Sequence, residues 1–458
     1  MTFNRKNKLQ QASQSKKLIS KKKNYQNKLK KNKISEPLFA YIFQKSRIED
    51  ENWDFRKANT KEYTHCFHPY PAMMIPQVAR RILELFGKNS KLLFDPYCGT
   101  GTSLVEANIR GINAVGTDLN PLARLIAKAK TTKLDIQVLD LFLQDFMNLF
   151  FSINFKIEKL KSLIIPNIFN IDFWFAKDVQ QKLAVLLQYI ENINDTTIKN
   201  FFKVAFSETV REVSFVKQGE FKLVREKNLN NKQDLDVFGI MITKLSRNKQ
   251  GLIEFIKSCK NDSSTLIYDF NTVDLIPQNK LDENSVDIIV TSPPYGDSRT
   301  TVAYGQFSRL SNEWLGFKEA NQIDNNLMGG KKRKHNHVFK CDLLNDIIYS
   351  IQKQDKERAR DVISFYEDYE KSIINISSVI KKKGFVCYVV GNRTVKGVKI
   401  TTDEITKEMF KENGFTYIET IARNIPNKRM PLKNSPSNIV GETASTIKNE
   451  YIVICQKK

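Results

Sequence analysis

Two short stretches hold the residues whose types and spacing could do chemistry. The first is Phe94-Asp95-Pro96-Tyr97-Cys98-Gly99-Thr100-Gly101-Thr102. An apolar run, Leu92-Leu93-Phe94, enters it and reads as a buried strand; Ser103-Leu104-Val105-Glu106-Ala107 then begins a helical pattern. A strand, a glycine turn and a helix let backbone N–H groups approach a ligand closely. The next strand, Asn113 to Asp118, ends in an acid seventeen positions beyond Gly101, near the ~20 that suit a carboxylate gripping ribose hydroxyls. Leu104 stands where a dinucleotide fingerprint has its third glycine, so the glycine turn alone does not define a cofactor. The second stretch, Thr291-Ser292-Pro293-Pro294-Tyr295, follows another apolar strand, Asp287 to Val290. It sets a hydroxyl, a rigid proline carbonyl and an aromatic ring at a strand end, on the side where open α/β sheets bind ligands.

Together, in this order, the two stretches resemble the exocyclic-amino DNA methyltransferases of restriction-modification systems, which act on cytosine N4 or adenine N6. In that family Asp-Pro-x-x-Gly-x-Gly-Thr binds S-adenosylmethionine (AdoMet), and (Asp/Asn/Ser)-Pro-Pro-(Tyr/Phe/Trp) methylates a base amine. The resemblance implies AdoMet contacts at Asp95, Pro96, Gly99, Thr100, Gly101 and Thr102, at the ribose acid Asp118 with Asn120 after it, and at Asp269, which matches the acid beside the adenine ring. Upstream, His68-Pro69-Tyr70-Pro71-Ala72 resembles the segment lining the methionine end of AdoMet, which adds Phe67, His68, Pro69 and Tyr70.

The expected catalytic residues are Ser292, Pro293, Pro294 and Tyr295. A base amine is a poor nucleophile because its lone pair is delocalised into the ring. Ser292 Oγ and the Pro293 carbonyl can accept its two hydrogens, and Tyr295 can stack on a base that has left the duplex. Transfer then needs mainly proximity and orientation. Carbon-5 cytosine methyltransferases need a Pro-Cys nucleophile, and Ser292-Pro293-Pro294 holds no cysteine. Serine at the first position resembles cytosine-N4 enzymes, and adenine-N6 stays as the alternative. An RNA base methyltransferase, or a silent methyltransferase fold that only binds nucleic acid, is a further alternative.

The formal charge of +23 and the pI near 9.5 point to a polyanion, and the resemblance implies that it is double-stranded DNA. Residues 1–35 carry Arg5 and eleven lysines with no acid, which reads as a disordered basic arm; the remainder keeps a charge of +11. Six cysteines without a Cys-x-x-Cys spacing suggest neither a zinc ribbon nor a disulfide framework. His65 and His68 lack acids or cysteines at ligand spacing, so no metal is expected. No apolar run approaches the ~20 residues of a membrane span, and no signal segment appears. A cytoplasmic bacterial protein is therefore expected, with a cognate restriction endonuclease as its functional partner.

The elements that must position these residues follow an α/β pattern. Val78, Ile82, Leu85 and Phe86 have helical spacing after Pro76, and Asn120-Pro121 reads as the cap and first turn of another helix. Strands are expected at 265–270, before Ser292, at 384–391, at 415–421 and at 451–455. With the first two they match a seven-stranded doubly wound Rossmann-like AdoMet methyltransferase sheet, parallel apart from one antiparallel edge strand. The expected division is the arm 1–35, an AdoMet-binding half 36–130, a mainly helical insertion 131–262, and a catalytic half 263–458. Ile198, Phe201, Phe202, Ala205, Phe206 and Thr209 set the helical period of the insertion. Arg211, Lys217, Lys222 and Arg225 within it are candidate DNA contacts. So are two basic loops, one with Lys331, Lys332, Arg333 and Lys334, the other with Lys428 and Arg429.

Overall fold

A computed structural model of the chain describes residues 47–153, 163–229, 232, 234–296, 301–318, 320–333, 337–425, 433–434, 444–445 and 449–458. The chain divides into a unit Met1–Glu49 and a larger one, Asp50–Lys458. Of the first, only residues 47–49 are described. The basic arm 1–35, Lys334, Lys428 and Arg429 lie outside the described residues.

Within Asp50–Lys458 seven strands share one sheet: β1 (Leu92–Asp95), β2 (Asn113–Thr117), β3 (Thr265–Tyr268), β4 (Val286–Thr291), β5 (Ile380–Gly391), β6 (Phe415–Asn424) and β7 (Asn449–Lys457). Their order is β6-β7-β5-β4-β1-β2-β3. From β5 to β3 the pairing is parallel throughout. β7 is antiparallel to both of its neighbours. The antiparallel strand thus lies inside the sheet, between β5 and β6, and not at its edge as expected. Tyr451, Ile452, Val453, Ile454 and Cys455 are all buried there, because a strand paired on both sides between two helical layers needs apolar residues on both faces.

Helices α1 (Pro76–Phe86), α2 (Thr102–Ile109) and α3 (Pro121–Thr131) flank the first two strands. In α1 the face of Val78, Ala79, Ile82 and Leu83 is buried, while Leu85, expected on that face, is exposed. α3 begins as its sequence suggests: Asn120 Oδ1 accepts the Leu122 N–H at 3.1 Å, with Pro121 at the first turn.

The insertion is helical: α4 (Ile136–Ile153), α5 (Lys177–Glu191), α6 (Thr196–Val213) and α7 (Val237–Ser258). All six residues that set its period are buried, and each fully buried phenylalanine contributes roughly 1.5–3 kcal/mol. Its core is continuous with Leu122, Ile126 and Ala129 of α3, and with Phe307, Leu310 and Trp314 of α8 (Tyr304–Trp314). The insertion is therefore welded to the cofactor half along one core. α7 also runs close against the turn Tyr63–Phe67, where a side chain at Gly251 would collide with the Tyr63 carbonyl.

On the other side of the sheet α9 (Asp342–Gln352), α10 (Lys356–Val379) and α11 (Thr402–Glu412) pack around Tyr366, Tyr369 and Phe410.

Candidate active site

The two motif stretches meet at the carboxyl ends of β1 and β4, and the link between them is Asp95. Its carboxylate is buried. It accepts a 2.5 Å bond from Thr291 Oγ1, a 3.1 Å bond from the Tyr97 N–H and a further bond from Ser103 Oγ. One acid therefore ties the last residue of β4, immediately before Ser292, to the glycine loop and the first turn of α2. Burial pushes its carboxyl up to about 6, against the pull of those three donors. Asp95 lines the cleft, but its principal role is to brace the two loops.

The cleft is also lined by Tyr70, Pro96, Tyr97, Gly99, Thr100, Thr102, Asp118, Asn120, Ser292, Pro294 and Tyr304. Most of the expected cofactor residues are thus brought together. At the tip of β2, Asp118 accepts the Gly99 N–H at 3.0 Å and the Asn120 N–H at 2.7 Å. Burial raises its carboxyl above the usual range, opposed by those two N–H groups and by Arg124. Asn120 donates to the Tyr70 hydroxyl at 2.8 Å and to Ser308 Oγ at 2.9 Å, joining the His-Pro-Tyr segment to α3 and α8.

The two glycines act differently. Gly99 has φ of +49° and open space where a side chain would begin. Gly101 has φ of +79° and abuts Ala127 of α3, whose Cβ would lie 3.0 Å from an added methyl. Gly99 leaves room for a ligand; Gly101 lets the helix pack.

Besides Gly101, three expected cofactor residues fall outside the cleft wall. Phe67 is fully buried against Phe201. His68 is buried between Tyr70 and Phe307, and burial pushes its imidazole down to about 4. Pro69 is exposed. A fourth, Asp269, is also exposed and lines a neighbouring depression with Arg124 and Lys318. The strand ends at Tyr268, so the chain turns two residues earlier than expected and Phe270 and Asn271 face the cleft. His65 is committed elsewhere. Burial pushes its imidazole down to about 4, and its Nε2 lies 3.2 Å from the ionised Glu106. Among the described residues no group of three His, Cys, Asp or Glu side chains could hold a metal.

Sequence reasoning missed Tyr304. Its ring stacks on Tyr70 at 6.0 Å and an angle of 16°, at the start of a helix whose first turn is capped by Asp324 through the Gly305 and Gln306 N–H groups. No local signal marks it, because the pairing joins residues more than two hundred positions apart.

At the catalytic stretch, Ser292 Oγ donates to the Val389 carbonyl at 3.0 Å and lies 3.2 Å from the Tyr295 hydroxyl, which donates to Glu450 at 3.1 Å. Pro293 is buried and Pro294 faces the cleft.

The basic candidates separate sharply. Arg211 is spent internally: its guanidinium lies 4.0 Å over Phe307 and donates to the Phe307 and Glu220 carbonyls. Burial pushes it down to about 10. It is a clamp between insertion and α8 rather than a phosphate contact. Lys332 pairs with Glu357 and Asp361, and Arg333 with Glu367 and Asp368, all on α10. Lys332 and Arg333 of that loop are thus held by acids of the helix beneath it. Arg225 packs over Phe173 and Phe215, and Lys217 pairs with Glu220. Lys222 and Lys331 are exposed.

AdoMet carries a sulfonium and an ammonium charge, an adenosine and two ribose hydroxyls. The cleft offers the buried Asp95 and the half-buried Asp118, an open glycine and aromatic walls, so the residues present fit it. A family model for DNA methylases of the N6/N4 type matches residues 1–129. The chain is 39% identical over 442 residues to the Type II methyltransferase M.MvaI of Kocuria varians, covering 89% of this chain and 94% of that one. It is 28% identical over 190 residues to the Type II methyltransferase M.MjaII of Methanocaldococcus jannaschii, covering 40% of this chain and 33% of that one. A tRNA (guanine(10)-N2)-dimethyltransferase of the same archaeon is 24% identical over 197 residues, covering 41% of this chain and 52% of that one. Fold and cleft define an AdoMet-dependent methyltransferase. Within that class the chain belongs to the Type II exocyclic-amino DNA methyltransferases, of the N4/N6 kind. Among the described residues no helix is long and apolar enough to cross a membrane.

Proposed function

We propose that this enzyme methylates the N4 amine of cytosine in double-stranded DNA, at a base flipped into the cleft beside Ser292. The observation that carries the reading is the bond from Ser292 Oγ to the Val389 carbonyl. It engages the only hydrogen of that hydroxyl, so the oxygen lone pairs are left to accept an amine hydrogen. The Pro293 carbonyl accepts the second hydrogen, and proline contributes no competing N–H. The Tyr295 hydroxyl is anchored at its far end, which fixes the plane of a ring that stacks on the base. Bound AdoMet supplies the electrophilic methyl group. Asp118 and Gly99 hold its ribose side, and Tyr70 with Tyr304 closes the cleft. The Asp95–Thr291 bond sets the distance between that cleft and Ser292.

Serine at the head of the Pro-Pro-Tyr stretch supports cytosine over adenine. The DNA path is assigned to Lys222 and Lys331, with Arg225 and Lys217 as weaker contributors and the basic arm 1–35 as a sequence-independent anchor. A restriction endonuclease sharing the site completes the reading, in keeping with the Type II relatives. Nucleoside mass spectrometry of DNA methylated by the enzyme tests it: 4-methylcytosine is expected. 6-Methyladenine would overturn the choice of base and keep the mechanism, whereas 5-methylcytosine would overturn both.

A further inference from the structure

The hydrogens around Ser292 and Tyr295 can be counted. Ser292 Oγ donates to Val389 O at 3.0 Å, the Tyr295 hydroxyl donates to Glu450 Oε1 at 3.1 Å, and the two hydroxyl oxygens are 3.2 Å apart. Three contacts are present and the two hydroxyls bring two hydrogens. Once Val389 and Glu450 have taken theirs, two sets of lone pairs face each other with nothing between them.

Glu450 is held as an acceptor. Its other oxygen is ion-paired with Arg423, which is 3% exposed and donates through Nε to the Trp53 carbonyl at 2.8 Å. Burial and the neighbouring Glu450 carboxylate also push the Tyr295 hydroxyl above its ordinary range, so it keeps its hydrogen at any working pH.

We propose that Glu450, held by Arg423, is a positioning residue that determines specificity: by taking the Tyr295 hydrogen it leaves Ser292 and Tyr295 as an acceptor-only pair facing the target base. An incoming N–H supplies the missing hydrogen. A carbonyl at the same place, as on thymine C4 or guanine C6, meets only lone pairs, and a site built around a hydrogen-bonding group strongly rejects an analogue that cannot make the bond. The proposal deepens the amine-transfer reading and rests on Ser292 and Tyr295 holding the base.

The test is Glu450→Gln, alone and combined with Tyr295→Phe, assayed by transfer of labelled methyl from AdoMet to unmethylated plasmid DNA carrying the enzyme's site. Arg423 still needs an acceptor, so the new amide turns its oxygen to Arg423 and its NH2 to Tyr295. The tyrosine hydrogen then swings onto Ser292 and the acceptor pair is lost. A kcat lower by roughly tenfold, the worth of about one hydrogen bond, is expected with an unchanged KM for AdoMet. In the Tyr295→Phe background, where there is no hydroxyl to turn, Glu450→Gln should add less than about twofold. An equal loss in both backgrounds, or a loss accompanied by a lowered Tm and a raised AdoMet KM, makes Glu450 merely structural and overturns the proposal. Full kcat in Glu450→Gln, with Ser292→Ala impaired, overturns it while leaving amine transfer intact. Full kcat in both Ser292→Ala and Tyr295→Phe removes the underlying reading as well.

Discussion

Asp95→Asn gives the sharpest test of how the two halves of the site are joined. The wild-type carboxyl sits at about 6 in the folded protein against a usual 3.8. A raised carboxyl means that the folded chain binds more protons than the unfolded chain between those values, so this group's contribution to stability falls as pH rises from about 4 to about 6. The interval of about two pKa units, at 1.36 kcal/mol each, makes the cost of ionising Asp95 in the fold about 3 kcal/mol at pH 7.5. Asparagine keeps the shape and an acceptor for Thr291 but never ionises. Relative to wild type, Asp95→Asn should therefore be destabilised at pH 4.5, where it loses bonding to Ser103 without gaining relief. It should recover by about 2 kcal/mol as pH rises from 4.5 to 7.5, because about 1 of the 3 kcal/mol has already been lost by the wild type below pH 4.5. Paired thermal melts of the two proteins across that range measure the difference directly, and other titrating groups cancel in the comparison. A stability gap independent of pH, or one that widens with pH, would refute the reasoning and show that the three donors overcome burial. Methylation by the variant should fall even where its stability is regained, because the bond that places Thr291 beside the cofactor loop is weakened.

Three further outcomes follow from the geometry. Asp118→Ala removes the acceptor for two N–H groups and the expected ribose partner, and calorimetry should find AdoMet binding at least tenfold weaker, each charged hydrogen bond being worth roughly 1.5–3 kcal/mol; Asp269→Ala, altering an exposed side chain outside the cleft, should leave that affinity unchanged. Gly99→Ala should cost about 1–2 kcal/mol for a left-handed backbone and lower AdoMet affinity by filling the cleft, whereas Gly101→Ala should lower Tm further by pressing on Ala127. Deleting residues 1–35 should flatten the salt dependence of DNA binding without touching AdoMet affinity, and equal salt slopes would make the arm a passive tail.

The elements around the cleft were legible because their signals are local. A strand, Gly-x-Gly and a helical period sit within twenty residues, and Asn120-Pro121 caps α3 as its chemistry dictates. What escaped was set by partners distant in sequence. The run at 451–455 reads plainly as a strand, but its own residues do not say that it enters between β5 and β6 in the opposite direction. Lys332 and Arg333 look free until α10 brings Glu357, Asp361, Glu367 and Asp368 beneath them. Arg211 looks like a phosphate ligand until Phe307 is seen under its guanidinium. Asp269 and Phe270 exchanged roles because a strand stopped two residues early. Tyr304 and Glu450 reach the site from elements that carry no motif at all.

The placing of β7 also orders events in time. β6 pairs with β7 and not with β5, so as the chain leaves the ribosome β6 is made before its place in the sheet exists. The parallel strands β1 to β5 pair with one another without β6 or β7, whereas β6 joins them only through β7 docked against β5. Glu450 lies on β7 and Arg423 on β6. A partly synthesised enzyme would therefore hold its cofactor cleft before it could hold a base, and methyl transfer would begin only when the last strand of the sheet is in.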